Sequence, residues 1–557
     1  MTSWRSLLGR WEWTVLVVVS IANLVPIWAF HYFPGQDTAD HLYAVEVLRA
    51  LGSGTAPPAV VAAFAPALGL KTNVLFHGLM LGLLRLPISL DIDVAHRLVL
   101  SAYALALPLA GLSCVRAAAP ASGPLALLLL PLVWSWFAVQ GLYNYILSLP
   151  PALVWLGIVA RDGGRPRLAS AAVLGLSAVI VFLAHAVTFA VLLLVTAIRI
   201  VFPADGTRAT PAARLRGAGP AALALAPAVL LELLSWRGLW GSTLQSEPTL
   251  SRWEMYDFPS AVGTFFVEFA VRYHLADLAA LGPPLVVLLA VPLAARRAPG
   301  APRWPLAAAL VLAILYLAAP HIVSGSDLAP RLRPLLVFAL LCYGGVVLSP
   351  RARRRVTALA LVSGLAGVAL LAQSFRSLGR SLDDFASGIP FVRRGSRVYP
   401  VIFDPRSPSI LVKPFLHAWG YYGLARDVVT PYAFAWNASR FPYRYRELPL
   451  HGPGSSFPSD AEDEPYALTE GRLCATERRF SPSLSCDELR QQAEARIVGL
   501  GMAYDYLLTW AAPTEFTTLL AARGYRLLHA QGSLALYQPP AAGPPLTDSG
   551  HDRPPHS

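Results

Sequence analysis

"WTVLVVVSIANLVPIWAFHYFPGQDTADHLYAVEVLRAL", Trp13–Leu51, begins as an apolar run and then places His31, Asp37, Asp40 and His41 within a few residues of its end. The run has the length, roughly 20 residues, that a helix needs to cross a hydrocarbon core. No small-x-small cleavage site follows in "NLVPIWAFHYF", so the segment reads as a retained first span and not a removed leader. In "DTADHLYAVEVLRAL" the apolar positions Leu42, Val45, Val47, Leu48 and Leu51 suit a helix lying along the membrane surface. A span followed at once by a polar surface helix makes this a membrane protein whose chemistry sits at one face.

Composition agrees. Of 557 residues 55% are hydrophobic and 14% charged, with mean hydropathy +0.51, whereas a soluble domain is about a quarter charged. Candidate spans recur at 13–31, 73–89, 96–115, 123–139, 141–160, 168–184, 186–202, 218–235, 281–296, 304–323, 332–348 and 356–374. The net charge of +12 and pI near 9.7 do not imply nucleic acid, because the arginines sit in short loops between apolar runs, where the positive-inside bias puts them. Lys71 and Lys413 are the only lysines, and the wealth of Ala, Arg, Gly and Pro fits a GC-rich bacterial genome.

Arginine-rich connections at 161–167, 199–217, 296–303 and 349–355 belong on the cytoplasmic side with the N-terminus. This leaves 31–72 and 236–280 as outer loops and sends the C-terminal part outside a bacterial inner membrane. The twelve apolar runs put "RDGGRPR" (161–167) on the wrong side, so one segment between 60 and 160 is not a simple span. An odd total, 11 or 13, satisfies every charged loop. The expected architecture is an α-helical polytopic bundle over 1–375, a small extracytoplasmic α/β domain over 376–540 and a disordered tail over 541–557. In the α/β domain, "RVYPVIFDP" and "YDYLLTW" read as strands, "SILVKPFLHAWGYYGLA" and "PTEFTTLLAARG" as helices, and "YRLLHAQGSLALYQ" as a hairpin. Cys474 and Cys486 are twelve positions apart, a disulfide in an oxidising compartment or two separate thiols.

On the surface helix Asp37 and His41 share a face, with Asp40 beside them. A carboxylate just above the hydrocarbon boundary is partly desolvated, and desolvation raises its basicity. It can accept a proton from a hydroxyl, or ligate a divalent cation together with His41; that cation is the one cofactor the sequence raises. The plainer role for Asp37 is a helix cap, an acidic residue at the positive end of the dipole. The two roles are compatible.

A long first span, an outer loop opening with Asp, an Asp-x-x-x-His pattern on a surface helix, and a closing "YDYLLTW…LLAARGYRLLHAQGSLALYQ" together resemble the GT-C superfamily of integral-membrane glycosyltransferases, in its bacterial, polyprenyl-phosphate-sugar-dependent form. The resemblance implies transfer of a sugar from a polyprenyl-phosphate donor to an acceptor on the outer side. Asp37 takes the place of the family's first-loop aspartate, a base or metal ligand, although the Asp-Glu pair of several members is replaced here by Asp40 and His41.

Such a reaction needs positive charge for the leaving phosphate. Arg331 and Arg333 in "GSDLAPRLRPLL", near Asp327, and Arg272 in "VRYHLAD" are the candidates, with interfacial snorkelling as the plainer reading. His185, His274 and His321 are candidate cavity-lining residues, and lone histidines of this kind are also common packing residues. The partners are then the lipid bilayer and a lipid-linked sugar. A transporter or flippase is the first alternative, but no internal repeat is visible and the ionisable residues lie at span ends, Glu232 being the nearest to an exception. A non-catalytic scaffold of cell-envelope assembly is the second.

Overall fold

The computed structural model describes residues 8–118, 120–161, 168–202, 210–241, 253–254, 257–294, 304–320, 322–323, 326–343, 347–407, 411–436, 441–447 and 485–540. Apolar helices dominate: α1 (Arg10–Trp28), α2 (Thr38–Ser53), α3 (Leu75–Leu84), α4 (Ile92–Ala118), α5 (Tyr143–Arg161), α6 (Leu168–Ala184), α7 (Ala186–Val201), α8 (Pro211–Gly241), α9 (Phe258–Ala270), α10 (Ala276–Ala294), α11 (Trp304–Ala318), α12 (Leu332–Tyr343) and α13 (Pro350–Ala386). Among the described residues five helices are long and apolar enough to cross a membrane, and six shorter apolar helices accompany them.

The helix ends gather at two levels, a base and a capped end. At the base, Arg353 at the start of α13 donates to both carboxylate oxygens of Glu12 at the start of α1, at 3.0 and 2.7 Å. At the capped end, the loop after α1 meets Lys413, His417 and Tyr421 of the C-terminal part. Helix α3 does not cross the bundle. Val74, just before it, donates to the Leu183 carbonyl at the end of α6, and α4 begins again at the capped end, where His96 packs on Phe33 and Phe76.

The expected span 123–139 does cross, but not as an α-helix. Pro120–Leu129 is a 3-10 helix, continued by Leu130 and Leu132 N–H groups bonding three residues back. Pro120, Pro124 and Pro131 explain the departure, since each lacks the N–H an α-helix would use. The tighter helix rises about 2 Å per residue, so few residues cover much depth. Its stretch Leu125–Leu130 is wholly buried, and its exit is tied to α1 by Asn23, whose amide donates to the Leu130 carbonyl (3.0 Å) and whose own carbonyl accepts from the Trp134 indole (3.0 Å). Among the described residues α3 and α9 belong to the shorter apolar helices.

The cap is a four-stranded sheet in which Val398–Ile402 runs parallel to Tyr506–Trp510, followed by antiparallel Leu534–Gln538 and Arg526–Gln531. The expected hairpin turns at Gly532, which has φ +56. The boundary expected at 375 falls inside α13, which continues unbroken to Ala386. The cap is also stitched to the first loop: Phe64–Pro66 pairs antiparallel with Tyr443–Tyr445, and Tyr43 of α2 donates to the Val428 carbonyl (2.6 Å). The helix Gly420–Arg426 lies directly on α2, where a Cβ on Gly420 would come within 2.6 Å of the Ala39 carbonyl. The longer helix expected over "SILVKPFLHAWGYYGLA" is reduced to that one element. Its first half is held as turns by contacts with the bundle, such as the Trp136 indole donating to the Leu411 carbonyl (3.2 Å).

Candidate active site

Asp37 is fixed by backbone before its side chain does anything. The Gln36 and Asp37 N–H groups donate to the carbonyls of Val139 and Gln140, each at 3.1 Å. That approach requires Gly141, which has φ +91 and whose missing Cβ would sit 2.9 Å from the Asp37 Cβ. A side chain there would both strain the backbone and displace the carboxylate.

Asp37 stands at the N-cap of α2, but its carboxylate makes no side-chain cap bond. The capping role is therefore not what the side chain does. Oδ1 instead faces His417 Nε2 at 3.5 Å and accepts from the Gln36 amide at 3.3 Å. Gln36 Oε1 in turn accepts from the Lys413 N–H (3.1 Å), so the irregular segment before Gly420 is what closes over Asp37. His417 was not visible as a site residue in the sequence, because its neighbours read as an ordinary amphipathic helix.

Asp40 differs from expectation. It is fully buried, with Oδ2 accepting from the Phe434 N–H (3.0 Å) and Oδ1 from the Tyr443 hydroxyl (3.2 Å). Both oxygens anchor the cap, so Asp40 serves as a structural staple. Asp40→Ala should leave two buried donors unmatched and cost about 1–3 kcal/mol. Protease sensitivity of the 411–447 segment should rise with no loss of bundle helicity; a cap as resistant as wild type would refute the staple.

His41 also turns inward. Its Nδ1 lies 3.3 Å from His77 Nε2, inside rings of Phe76, Tyr143, Phe434 and Phe441. Burial first, then the neighbouring His77, His417 and His96, hold its imidazole well below the usual histidine range. His41 is thus a neutral packing and hydrogen-bonding group at ordinary pH. Among the described residues no three His, Cys, Asp or Glu side chains converge as a metal set, and Asp37 and His41 are directed to different partners.

The three arginines part company. Arg272 is buried in an ion pair with Asp277 (2.6 Å) and donates to the Gly367 carbonyl (2.9 Å), which locks the start of α10 to α13. Arg333 is fully buried, paired with Glu268 of α9 and donating to the Thr264 carbonyl (2.9 Å), with Phe137 and Tyr316 rings at either side. Neither side chain is placed as a surface phosphate clamp. Arg331 is half-buried beside Tyr145, whose hydroxyl donates to the Arg331 carbonyl (2.7 Å). His185 stands at the N-cap position of α7 and packs on the same Tyr145 ring at 5.0 Å. His274 lies in the turn before α10, its N–H donating to Asp277 (3.3 Å). His321, the Asp327 side chain and Cys474 lie outside the described residues; Cys486 is disulfide-bonded.

Lys71 was also missed. It reaches the Phe441 carbonyl at 2.7 Å, and burial draws its ammonium down to about 8. The sequence signal was there in its rarity, one of two lysines in the chain.

No protein-family model and no curated protein matches the chain. Solved structures do. ArnT from Cupriavidus metallidurans bound to undecaprenyl phosphate is 13% identical, with a TM-score of 0.50 over 96% of this chain and 99% of that one. The same protein in the apo state gives 0.51 at 13% identity, over 95% and 97%. Arabinofuranosyltransferase AftD from Mycobacteria is 16% identical with a TM-score of 0.47; the match covers 96% of this chain, which spans only 40% of AftD's length. The architecture of this chain, an apolar helical bundle capped by a small sheet domain, is similar to the fold of ArnT.

Proposed function

We propose that the chain is a membrane glycosyltransferase that moves a sugar from a polyprenyl-phosphate carrier to an acceptor hydroxyl at the capped end, with Asp37 as the proton acceptor. The observation that carries this reading is a carboxylate that makes no side-chain cap bond to its helix, is largely shielded from water and is aimed at His417. In the reaction the acceptor O–H gives its proton to Asp37 as its oxygen bonds the anomeric carbon. The bond from that carbon to the phosphate oxygen breaks, and the phosphate leaves with the electron pair. His417, held at the same carboxylate, orients it and takes up part of the charge change. ArnT's bound undecaprenyl phosphate supports a carrier of that class.

With Arg272 and Arg333 engaged elsewhere, the leaving phosphate is assigned to Arg331 and Lys71. The arginine-rich ends at the opposite level support a capped end that faces the extracytoplasmic side. The engagement of Arg272 and Arg333 is also what favours the second reading, a non-catalytic scaffold.

Lys71 gives a pH test. Its folded pKa lies below the ordinary lysine value, so its charge is present below about 8 and lost above it. If Lys71 holds the carrier phosphate, undecaprenyl phosphate affinity should be greatest below pH 8 and fall as pH rises through it. Stability should move oppositely, rising above pH 8 because the unfolded chain keeps its proton to a higher pH. Isothermal titration with undecaprenyl phosphate at pH 7 and pH 9.5, on wild type and Lys71→Met, checks it. A wild-type affinity independent of pH would remove Lys71 from the phosphate site.

A further inference from the structure

A cavity of about 280 Å³ opens between the loop after α1, the start of α4 and the cap, and Thr38, the residue after Asp37, is part of its wall. None of Arg331, Arg333, Arg272 or Lys71 lines it. The wall carries Asp91 and Asp93 against Arg97, and Arg97 is already engaged, donating to the Phe30 and His31 carbonyls at 3.0 Å each. Two carboxylates facing one committed guanidinium disfavour a phosphate. The carrier's charged group therefore does not belong here.

What the wall offers instead suits an uncharged polyol. His96 is 3% exposed and its Nε2 has no hydrogen-bond partner among the described residues. A buried polar atom left this way carries a desolvation cost that a ligand hydroxyl would remove. Tyr32 and Tyr421 meet edge to face at 4.9 Å and line the same wall, presenting apolar ring surface next to hydroxyls. The combination of aromatic surface, carboxylate and imidazole matches a sugar ring, which has alternating C–H faces and O–H edges. The volume lies at the lower end of small-molecule sites, about 300 Å³, enough for one such ring.

We propose that this cavity is a carbohydrate-binding site, and that it holds the acceptor's terminal sugar with a hydroxyl directed past Thr38 toward Asp37. The word acceptor rests on the glycosyltransferase reading; sugar binding by the cavity does not. Ala425 lines the cavity from an exposed position, so Ala425→Trp blocks it without disturbing the buried core.

The test is saturation-transfer NMR on the full-length protein in detergent micelles, with methyl α-D-arabinofuranoside, methyl α-D-mannopyranoside and methyl β-D-galactopyranoside as probes. Thermal-shift titration with undecaprenyl phosphate runs in parallel. At least one glycoside should bind in the millimolar range and lose about tenfold in affinity, about 1.4 kcal/mol, in Ala425→Trp. His96→Gln, which keeps a donor and an acceptor, should weaken it less than Ala425→Trp does, and inorganic phosphate should not compete. No binding of any glycoside to wild type, binding unchanged in Ala425→Trp, or competition by inorganic phosphate would overturn the assignment. Undecaprenyl phosphate binding should be the same in wild type and Ala425→Trp. Its absence from wild type, with glycoside binding intact, would remove the transferase reading and leave the carbohydrate site standing.

Discussion

Asp37→Asn should abolish sugar transfer while the protein accumulates and melts as wild type does. Loss of a positioned general base costs about 10²–10⁴-fold in rate. The stability effect should stay within about 0.5 kcal/mol, because the carboxylate makes no cap bond to α2 that the amide would lose. The geometry around the residue also survives, since it is set by the backbone bonds of Gln36 and Asp37 to Val139 and Gln140. The measurement is transfer from a polyprenyl-phosphate sugar in proteoliposomes, with melting temperature recorded on the same preparation. His417→Gln should lower the rate less and shift its pH profile, because it touches the carboxylate and not the acceptor. An Asp37→Asn protein that transfers at the wild-type rate would return Asp37 to a structural role and leave the scaffold reading in possession.

The second large effect is on stability. Arg333→Gln should cost about 3–5 kcal/mol, the usual result of removing one partner from a buried ion pair. Glu268 would remain in a site where Arg333 is fully buried and Glu268 nearly so, and α9 would lose its tie to α12. Low yield and a lowered melting temperature in detergent are the expected readouts. Replacing both partners, Arg333→Met with Glu268→Leu, should recover most of the loss, since it leaves no uncompensated charge. A stable Arg333→Gln protein with weakened undecaprenyl phosphate binding would show instead that the arginine serves the ligand.

The bundle and the cap strands were legible because hydrophobic run length and strand alternation are local properties of the chain. Val398–Ile402, Tyr506–Trp510 and the hairpin at Gly532 lie where their patterns placed them. The position of Asp37 was legible too, through the break between a span and a surface helix. What was not legible depended on distant partners. Arg272 and Arg333 have the same local look as interfacial arginines, and only Asp277 and Glu268, brought in by packing, decide their role. Asp37 and His41 share a helix face with Asp40 beside them, yet Tyr443 and Phe434, some 400 residues further on, claim Asp40, and His77 claims His41. The 3-10 pass was hidden for another reason: hydropathy reports depth in the membrane and is blind to which helix carries it, although the three prolines pointed away from an α-helix.

Helix α13 runs 37 residues without a break, from the Glu12 clasp at the base to the sheet at the top. At 1.5 Å per residue that is a rod of about 55 Å, while the hydrocarbon core takes about 30 Å of it. A lid that swings needs a joint at its root, and here the root is rigid and pinned at its far end. Tilting the cap would mean tilting the whole rod and breaking the clasp. The turns from Leu411 to Trp419, held by Trp136 and Gln36, lie over Asp37 within that fixed frame.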